Sequence, residues 1–183
     1  MNPVTRRRVL ASAVSAIMVS AISAPALSVP GTALTVEDRI AIAEAIAGIG
    51  LYADLRDWNR VKSYFAASVT TDYTSLFGGK VATSDRDALV AQWQGLLPGF
   101  EATQHLITNI TVEGAGNDAV ARSHVRATHW IGSRFWTVGG SYLHRLVRTP
   151  EGWRVNAIAI HRLYEEGDRA ILAAAADRVK AAE

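Results

Sequence analysis

Two of the five histidines stand where strand geometry would aim them at an apolar surface. Residues 103–130 read as two strands joined by a turn at residues 113–118. In Thr103-Gln104-His105-Leu106-Ile107, alternation with period two puts His105 and Ile107 on one face. In Ser123-His124-Val125-Arg126-Ala127-Thr128-His129, the same rule groups His129 with Val125 and Ala127 and sends His124 to the other face with Arg126 and Thr128. Two more groups join them as candidates. Asp54 follows Leu51 by three residues and Gly50 by four, so it continues a helical stripe of Ile42, Ile46, Ala47, Gly50 and Leu51. Tyr73 shares a predicted strand face with Val69 and Thr71, while Asp72 points the other way.

Histidine titrates near neutrality, so a positioned imidazole can both take and give a proton. A carboxylate on an apolar stripe has few ways to remain charged. Burial raises its pKa, and a histidine partner lowers it again. Other chemistries lack their residues. The chain has no cysteine, hence no disulfide, thiolate nucleophile or cysteine metal site. There is no His-Glu-x-x-His, no Gly-x-Ser-x-Gly and no phosphate-binding glycine loop. His105, His129 and Asp54 could form a histidine–carboxylate metal triad, but without a short ligand motif the expectation is no metal and no cofactor. Trp58 and Trp153 are expected in the core, and His124, His144 and His161 in structural or exposed positions.

The chain of 183 residues, 49% hydrophobic and 20% charged, suits one domain with a sizeable core. Its net charge of +2 is unevenly placed. Arg6, Arg7 and Arg8 precede an apolar run over residues 9–24, the layout of an export signal. Thr5-Arg6-Arg7-Arg8-Val9-Leu10 also resembles the twin-arginine pattern. Small residues at Ala24-Pro25-Ala26 suit cleavage after Ala26, with a cut near Ala33 as an alternative. A retained membrane anchor is the rival reading, but Ser12, Ser15, Ser20 and Ser23 dilute a run already shorter than the roughly 20 apolar residues a span needs. The expectation is an exported protein, periplasmic or secreted, with no stable membrane anchor after cleavage. Losing residues 1–26 removes three arginines and no acid, and the case for nucleic-acid binding goes with them.

The positioning elements follow in order. Residues 27–34 form a linker. Thr35 caps a helix running to about Leu55, with Glu37 and Asp38 in its first turn. Asp57 caps a second helix over residues 58–66, with Trp58, Val61 and Phe65 inward. A strand covers residues 69–75, a turn residues 77–80, and a third capped helix starts at residues 84–87 and runs to about Leu97. After the two histidine strands come a long strand over residues 134–148, bent at Gly139-Gly140, a turn at residues 149–152, and a strand over residues 153–164 with Trp153, Val155, Ala157 and Ala159 on one face. An alanine-rich helix over residues 165–183 is expected to fray. Helices followed by an antiparallel sheet define an α+β class.

Five motifs in this order resemble the SnoaL-like branch of the nuclear-transport-factor-two-like superfamily, with scytalone dehydratase as the nearest enzyme type. They are Tyr52-Ala53-Asp54-Leu55-Arg56-Asp57-Trp58, Thr71-Asp72-Tyr73, Thr103-Gln104-His105, Arg126-Ala127-Thr128-His129, and Leu146-Val147-Arg148-Thr149-Pro150-Glu151-Gly152-Trp153-Arg154. The resemblance implies a domain over residues 35–167, with a helical tail over residues 168–183. It implies a curved antiparallel sheet closed by N-terminal helices into a cone, the cystatin-like α+β barrel. It also implies that Asp54 pairs with His129, that His105 is the second histidine, and that Tyr73 polarises a substrate carbonyl through water. Ala53 replaces a family tyrosine. Gly140 and Tyr142 stand where the dehydratase has a substrate-contacting serine and asparagine, which makes Tyr142 a substrate-binding candidate and argues against scytalone itself.

Loss of water beside a carbonyl needs a base, an acid for the leaving hydroxyl and a donor to the enolate oxygen. His129, His105 and Tyr73 are assigned to these roles in that order. The expected function is a cofactor-independent lyase (dehydratase) or isomerase acting on a small hydrophobic carbonyl compound. A non-catalytic ligand-binding or assembly module is the alternative. A hydrolase or epoxide-opening enzyme would want a second acid inside the cone. The outer face of the sheet is a candidate surface for a homo-oligomer.

Overall fold

The structure is a computed structural model that describes residues 31–182. The expected export segment and the first half of the linker lie outside the described residues. The last part of the linker is tied down: Ala33 bridges to Ala115, Thr32 accepts a hydrogen bond from the Gly116 amide at 2.9 Å, and Leu34 is buried. No helix among the described residues is long and apolar enough to cross a membrane.

The elements are α1 (Val36–Asp54), α2 (Trp58–Ser63), β1 (Phe65–Asp72), α3 (Thr74–Phe77), β2 (Ala82–Asp85), α4 (Arg86–Gln94), a short 3-10 turn (Leu97–Gly99), β3 (Ala102–Ala115), β4 (Asp118–Ile131), β5 (Arg134–Thr149), β6 (Gly152–Gly167) and α5 (Ile171–Lys180). The strands form one curved, unclosed sheet in the order β2-β1-β6-β5-β4-β3, and helices cover its concave side. This is the expected α+β cone. Within it, β1 runs parallel to β6, the one parallel pairing among otherwise antiparallel neighbours.

Local chemistry sets most boundaries. Thr35 and Asp38 form a reciprocal capping box at the start of α1. Asp38 also accepts Trp153 Nε1–H at 3.0 Å and pairs with Arg148 at 2.7 Å, which ties the start of α1 to the β5–β6 hairpin. The Arg148 and Trp153 hydrogen bonds hold the Asp38 carboxyl well below the usual carboxylate range. The packed face of α1 is Ile42, Ala45, Ile46, Ile49 and Ala53. Ala47 and Leu51, expected inward, face out, because the buried stripe lies one position round the helix from them.

Four other local expectations are corrected. Phe65 opens β1 rather than ending α2, with the Tyr64 carbonyl accepting from the Val155 amide at 2.8 Å. Tyr73 is not a strand residue. Asp72 Oδ1 accepts from both the backbone amide and the hydroxyl of Thr74, and this local turn ends β1 and leaves Tyr73 at the start of α3. On β6, Ile158 and Ile160 face the core in place of Ala157 and Ala159, because a bulge between Val155 and Ala157 flips the alternation. The C-terminal helix starts later than expected and is docked, with Ile171 and Ala175 fully buried. The bend at Gly139-Gly140 is present as a second bulge in the β5–β6 pairing.

Candidate active site

The site begins with the approach of α1 to β3, the edge strand of the sheet. A Cβ on Gly50 would lie 3.1 Å from His105 Cβ and 3.3 Å from a side-chain carbon of Ile107. Glycine there lets the helix sit close against the strand, and one turn later Asp54 reaches the strand's open edge. The Asp54 carboxylate accepts three hydrogen bonds, each 2.7 Å long: from the Thr103 hydroxyl, the His105 backbone amide and His105 Nδ1–H. An unpaired edge-strand amide is thereby satisfied by the same group that orients the ring. Just beyond, Arg56 adopts the left-handed backbone conformation (φ 59°) that ends the helix. Its guanidinium donates to the Phe100 carbonyl at 2.7 Å and fixes this corner to the segment before β3.

A carboxylate can only accept, so the proton of the neutral His105 ring resides on Nδ1 and the lone pair on Nε2. Burial pushes the Asp54 carboxyl up, but the hydrogen bonds and charge of His105, with the Thr103 hydroxyl, outweigh it, and the net shift is downward. Asp54 is therefore an anion held by its partners.

The expected partner of Asp54 was His129, and that is corrected here. His129 sits on β4 directly opposite Thr103, one strand further from α1, while His105 takes the carboxylate. It packs edge-on against His105 with ring centroids 5.4 Å apart, and lies between Phe100 at 4.8 Å and Trp136 at 5.1 Å. His129 is 5% exposed, and burial pushes its pKa down to about 3, with the neighbouring His105 adding to the shift. Its Nδ1 donates a long hydrogen bond, 3.4 Å, to the Trp136 carbonyl, which leaves Nε2 as an acceptor. Trp136 is itself held by Nε1–H donation to Glu165 at 2.9 Å.

His105, His129, Tyr73 and Tyr142 all line one cavity of about 310 Å³. That volume is at the small end of the range for drug-sized ligands. Its other walls are mainly apolar and include Ile46, Ile49, Trp93, Trp136 and Leu172. Burial raises the Tyr73 phenol far above its ordinary pKa, with Tyr142 beside it adding to the shift, and raises Tyr142 to about 12. Both hydroxyls remain protonated donors at any physiological pH. Asp54, His105 and His129 thus form one cluster, and Tyr73 and Tyr142 a second group in the same chamber. Among the described residues, no group of three or more His, Cys, Asp or Glu is arranged to hold a metal ion.

His124 and His161 are exposed, as expected. His144 takes the other expected course, a buried position: it is 2% exposed and forms part of the cavity wall. Its signal was available, since His144 continues the inward alternation Trp136, Val138, Gly140, Tyr142 along β5. Thr103, Gly50 and Trp136 are the other site residues the sequence reading gave no role.

The SnoaL-like domain family matches residues 34–159. The chain belongs to the SnoaL-like family. That match spans the capping box, the Asp54–His105 pair and most of the sheet, whereas α5, which supplies Leu172 to the cavity, lies outside it. Among solved structures, a protein from Kribbella flavida is 30% identical, covers 75% of this chain and 97% of its own, and superposes with a TM-score of 0.70. A proposed scytalone dehydratase from Novosphingobium aromaticivorans is 19% identical, with coverage of 71% and 87% and a TM-score of 0.61. A hexachlorocyclohexane dehydrochlorinase is 14% identical, with coverage of 72% and 89% and a TM-score of 0.60. The last two likenesses show that this SnoaL-like chain shares their fold. Other neighbours are described as having cystatin-like and NTF2-like folds. No curated protein matches the sequence.

Proposed function

We propose that this SnoaL-like protein is a cofactor-independent lyase or isomerase that removes a proton beside the carbonyl of a small, largely apolar compound. The observation that carries the proposal is His105 on the wall of an apolar cavity, with Asp54 hydrogen-bonded to its Nδ1. Asp54 holds the His105 proton on Nδ1, so Nε2 offers its lone pair to the substrate's α-hydrogen. The C–H electron pair moves into the enolate, whose oxygen takes a hydrogen bond from the Tyr73 hydroxyl. In a dehydration the β-hydroxyl then leaves with its C–O electron pair and the proton carried by the His105 imidazolium. In an isomerisation that proton returns to carbon instead. His129, kept neutral with Nε2 as acceptor, orients a substrate hydroxyl. The base role first expected of His129 thus passes to His105, which keeps the acid role expected of it, because the carboxylate meets His105. The described dehydratase and dehydrochlorinase among the structural neighbours are consistent with elimination chemistry on this fold.

Solvent-deuterium exchange at the α-carbon, followed by proton NMR over a panel of small ketones, tests the proposal without knowledge of the physiological substrate. Exchange catalysed by the wild-type protein and lost in His105→Gln supports it. No catalysed exchange across the panel, or exchange unchanged in His105→Gln, refutes it. We also propose that the chain is exported, on the strength of Arg6–Arg8 and the apolar run after them. Fractionation of cells making the full chain checks this, and retention of unprocessed protein in the cytoplasm contradicts it.

A further inference from the structure

The cavity has a second polar pole that the proton-transfer scheme leaves unused. His144 faces Ala121 across β4 and β5, while His129 faces Trp136. His105 faces Ala127 across β3 and β4, six residues along β4 from Ala121, so the two rings project into the chamber from different parts of the curved sheet. His144 therefore stands well away from the Asp54–His105 pair, yet its ring lines the same chamber. Its Nδ1 is enclosed and has no hydrogen-bond partner. Ser123, which pairs with Tyr142 on the adjoining strand, also has an enclosed hydroxyl without a partner. The ring of Tyr142 packs on His144 at 5.3 Å.

A buried polar group without a partner is destabilising, and an apolar side chain of similar size would be the more stable choice. An imidazole on a cavity wall among apolar neighbours can offer one hydrogen bond, as donor or acceptor, to whatever fills the cavity. Burial pushes His144 down to about 4, so it stays uncharged at neutral pH. A carboxylate or ammonium group would find no countercharge there, whereas a hydroxyl or phenol needs only the hydrogen bond.

Resting on the reading that this cavity is the substrate site, we propose that His144, with the Tyr142 ring packed against it, forms a subsite for a neutral hydroxyl group at the end of the ligand remote from its carbonyl. The ligand class is thus an apolar body with two polar ends, a carbonyl set against His105 and an uncharged hydroxyl or phenol set against His144.

Binding of benzylacetone and of its para-hydroxy derivative, measured by calorimetry, tests the subsite. The wild-type protein should favour the hydroxylated ketone by about tenfold, the worth of one good hydrogen bond. In His144→Leu the preference should fall to about twofold or less, and His144→Asn, which keeps a polar group, should restore part of it. His144→Leu should also raise the thermal midpoint, since it removes the unpartnered group. Asp54→Asn should keep the preference. A preference unchanged in His144→Leu, an equal preference for the matching carboxylate, or failure of both ketones to bind overturns the proposal. Loss of α-exchange in His105→Gln reads the acid–base proposal separately, so either can fail while the other stands.

Discussion

Lowering the pH from 7.5 to 5 should remove about 4 kcal/mol from the stability of the native protein, and His129 should account for about half of it. Burial holds His129 at about 3 and His144 at about 4 in the folded state. Both ordinarily titrate near 6.5 when unfolded. Between the two values the unfolded chain binds a proton that the folded chain refuses, so stability is full above about pH 6.5 and falls as the pH drops. The slope is about 1.4 kcal/mol per pH unit for each ring, hence about 2 kcal/mol each at pH 5. Asp54 adds nothing in this window. Its folded pKa is depressed, so its stabilisation is lost only below the ordinary carboxylate range as the pH falls through the folded value. The perturbation is His129→Phe, which keeps an aromatic ring between Phe100 and Trp136. Urea unfolding followed by tryptophan fluorescence at pH 7.5 and pH 5 gives the stability difference for each protein. The variant should lose about 2 kcal/mol less than wild type between the two pH values, whatever its absolute stability. An equal loss in both would refute the claim that His129 is buried as a neutral ring.

Asp54→Asn should lower turnover by about 10²–10⁴-fold and destabilise the fold by about 1.5–3 kcal/mol, because an amide cannot accept all three hydrogen bonds that the carboxylate takes. Steady-state kinetics on any ketone that exchanges, together with urea titration, measure both. Gly50→Ala should fold, yet reduce turnover by roughly tenfold, because the new methyl presses on His105 and Ile107 and moves the ring from its working position; a crystal structure of the variant would show the shift. Gly99→Ala should be more damaging to stability, by about 1–3 kcal/mol or more, since a Cβ there would overlap the Ala175 carbonyl and undock α5. Thermal melts check it, and an unchanged midpoint would mean that α5 is not held against the 3-10 turn.

The parts of this architecture that depend on neighbouring residues were legible in the sequence. Alternation put His105, Ile107, Val125, Ala127 and His129 on the correct faces, because a strand side chain's direction follows from the period alone. The caps at Thr35, Asp57 and Asp85 and the bend at Gly139-Gly140 were legible for the same reason. What failed depended on distant partners. Asp54 could be placed on the inner side of α1, but not assigned to a histidine, because that required knowing that the helix lies against the edge strand β3 rather than β4. Ile158 and Ile160 replaced Ala157 and Ala159 because one extra residue in a bulge inverts every later side chain. Tyr73 left the strand because Asp72 turned the backbone onto Thr74. The export signal has no structural counterpart among the described residues. Fold and inward histidines were thus open to reading, whereas the pairing that decides the mechanism was set by tertiary packing.

The account stands on Asp54 holding the His105 proton at Nδ1, so that Nε2 is the basic atom on the cavity wall. Nitrogen-15 NMR of the histidine rings, with His105 assigned by its loss in His105→Gln, reads this directly. The neutral His105 ring should show a protonated Nδ1 and an unprotonated Nε2, and Asp54→Asn should disturb that tautomer. A wild-type His105 protonated at Nε2, with its signals unmoved by Asp54→Asn, would contradict it.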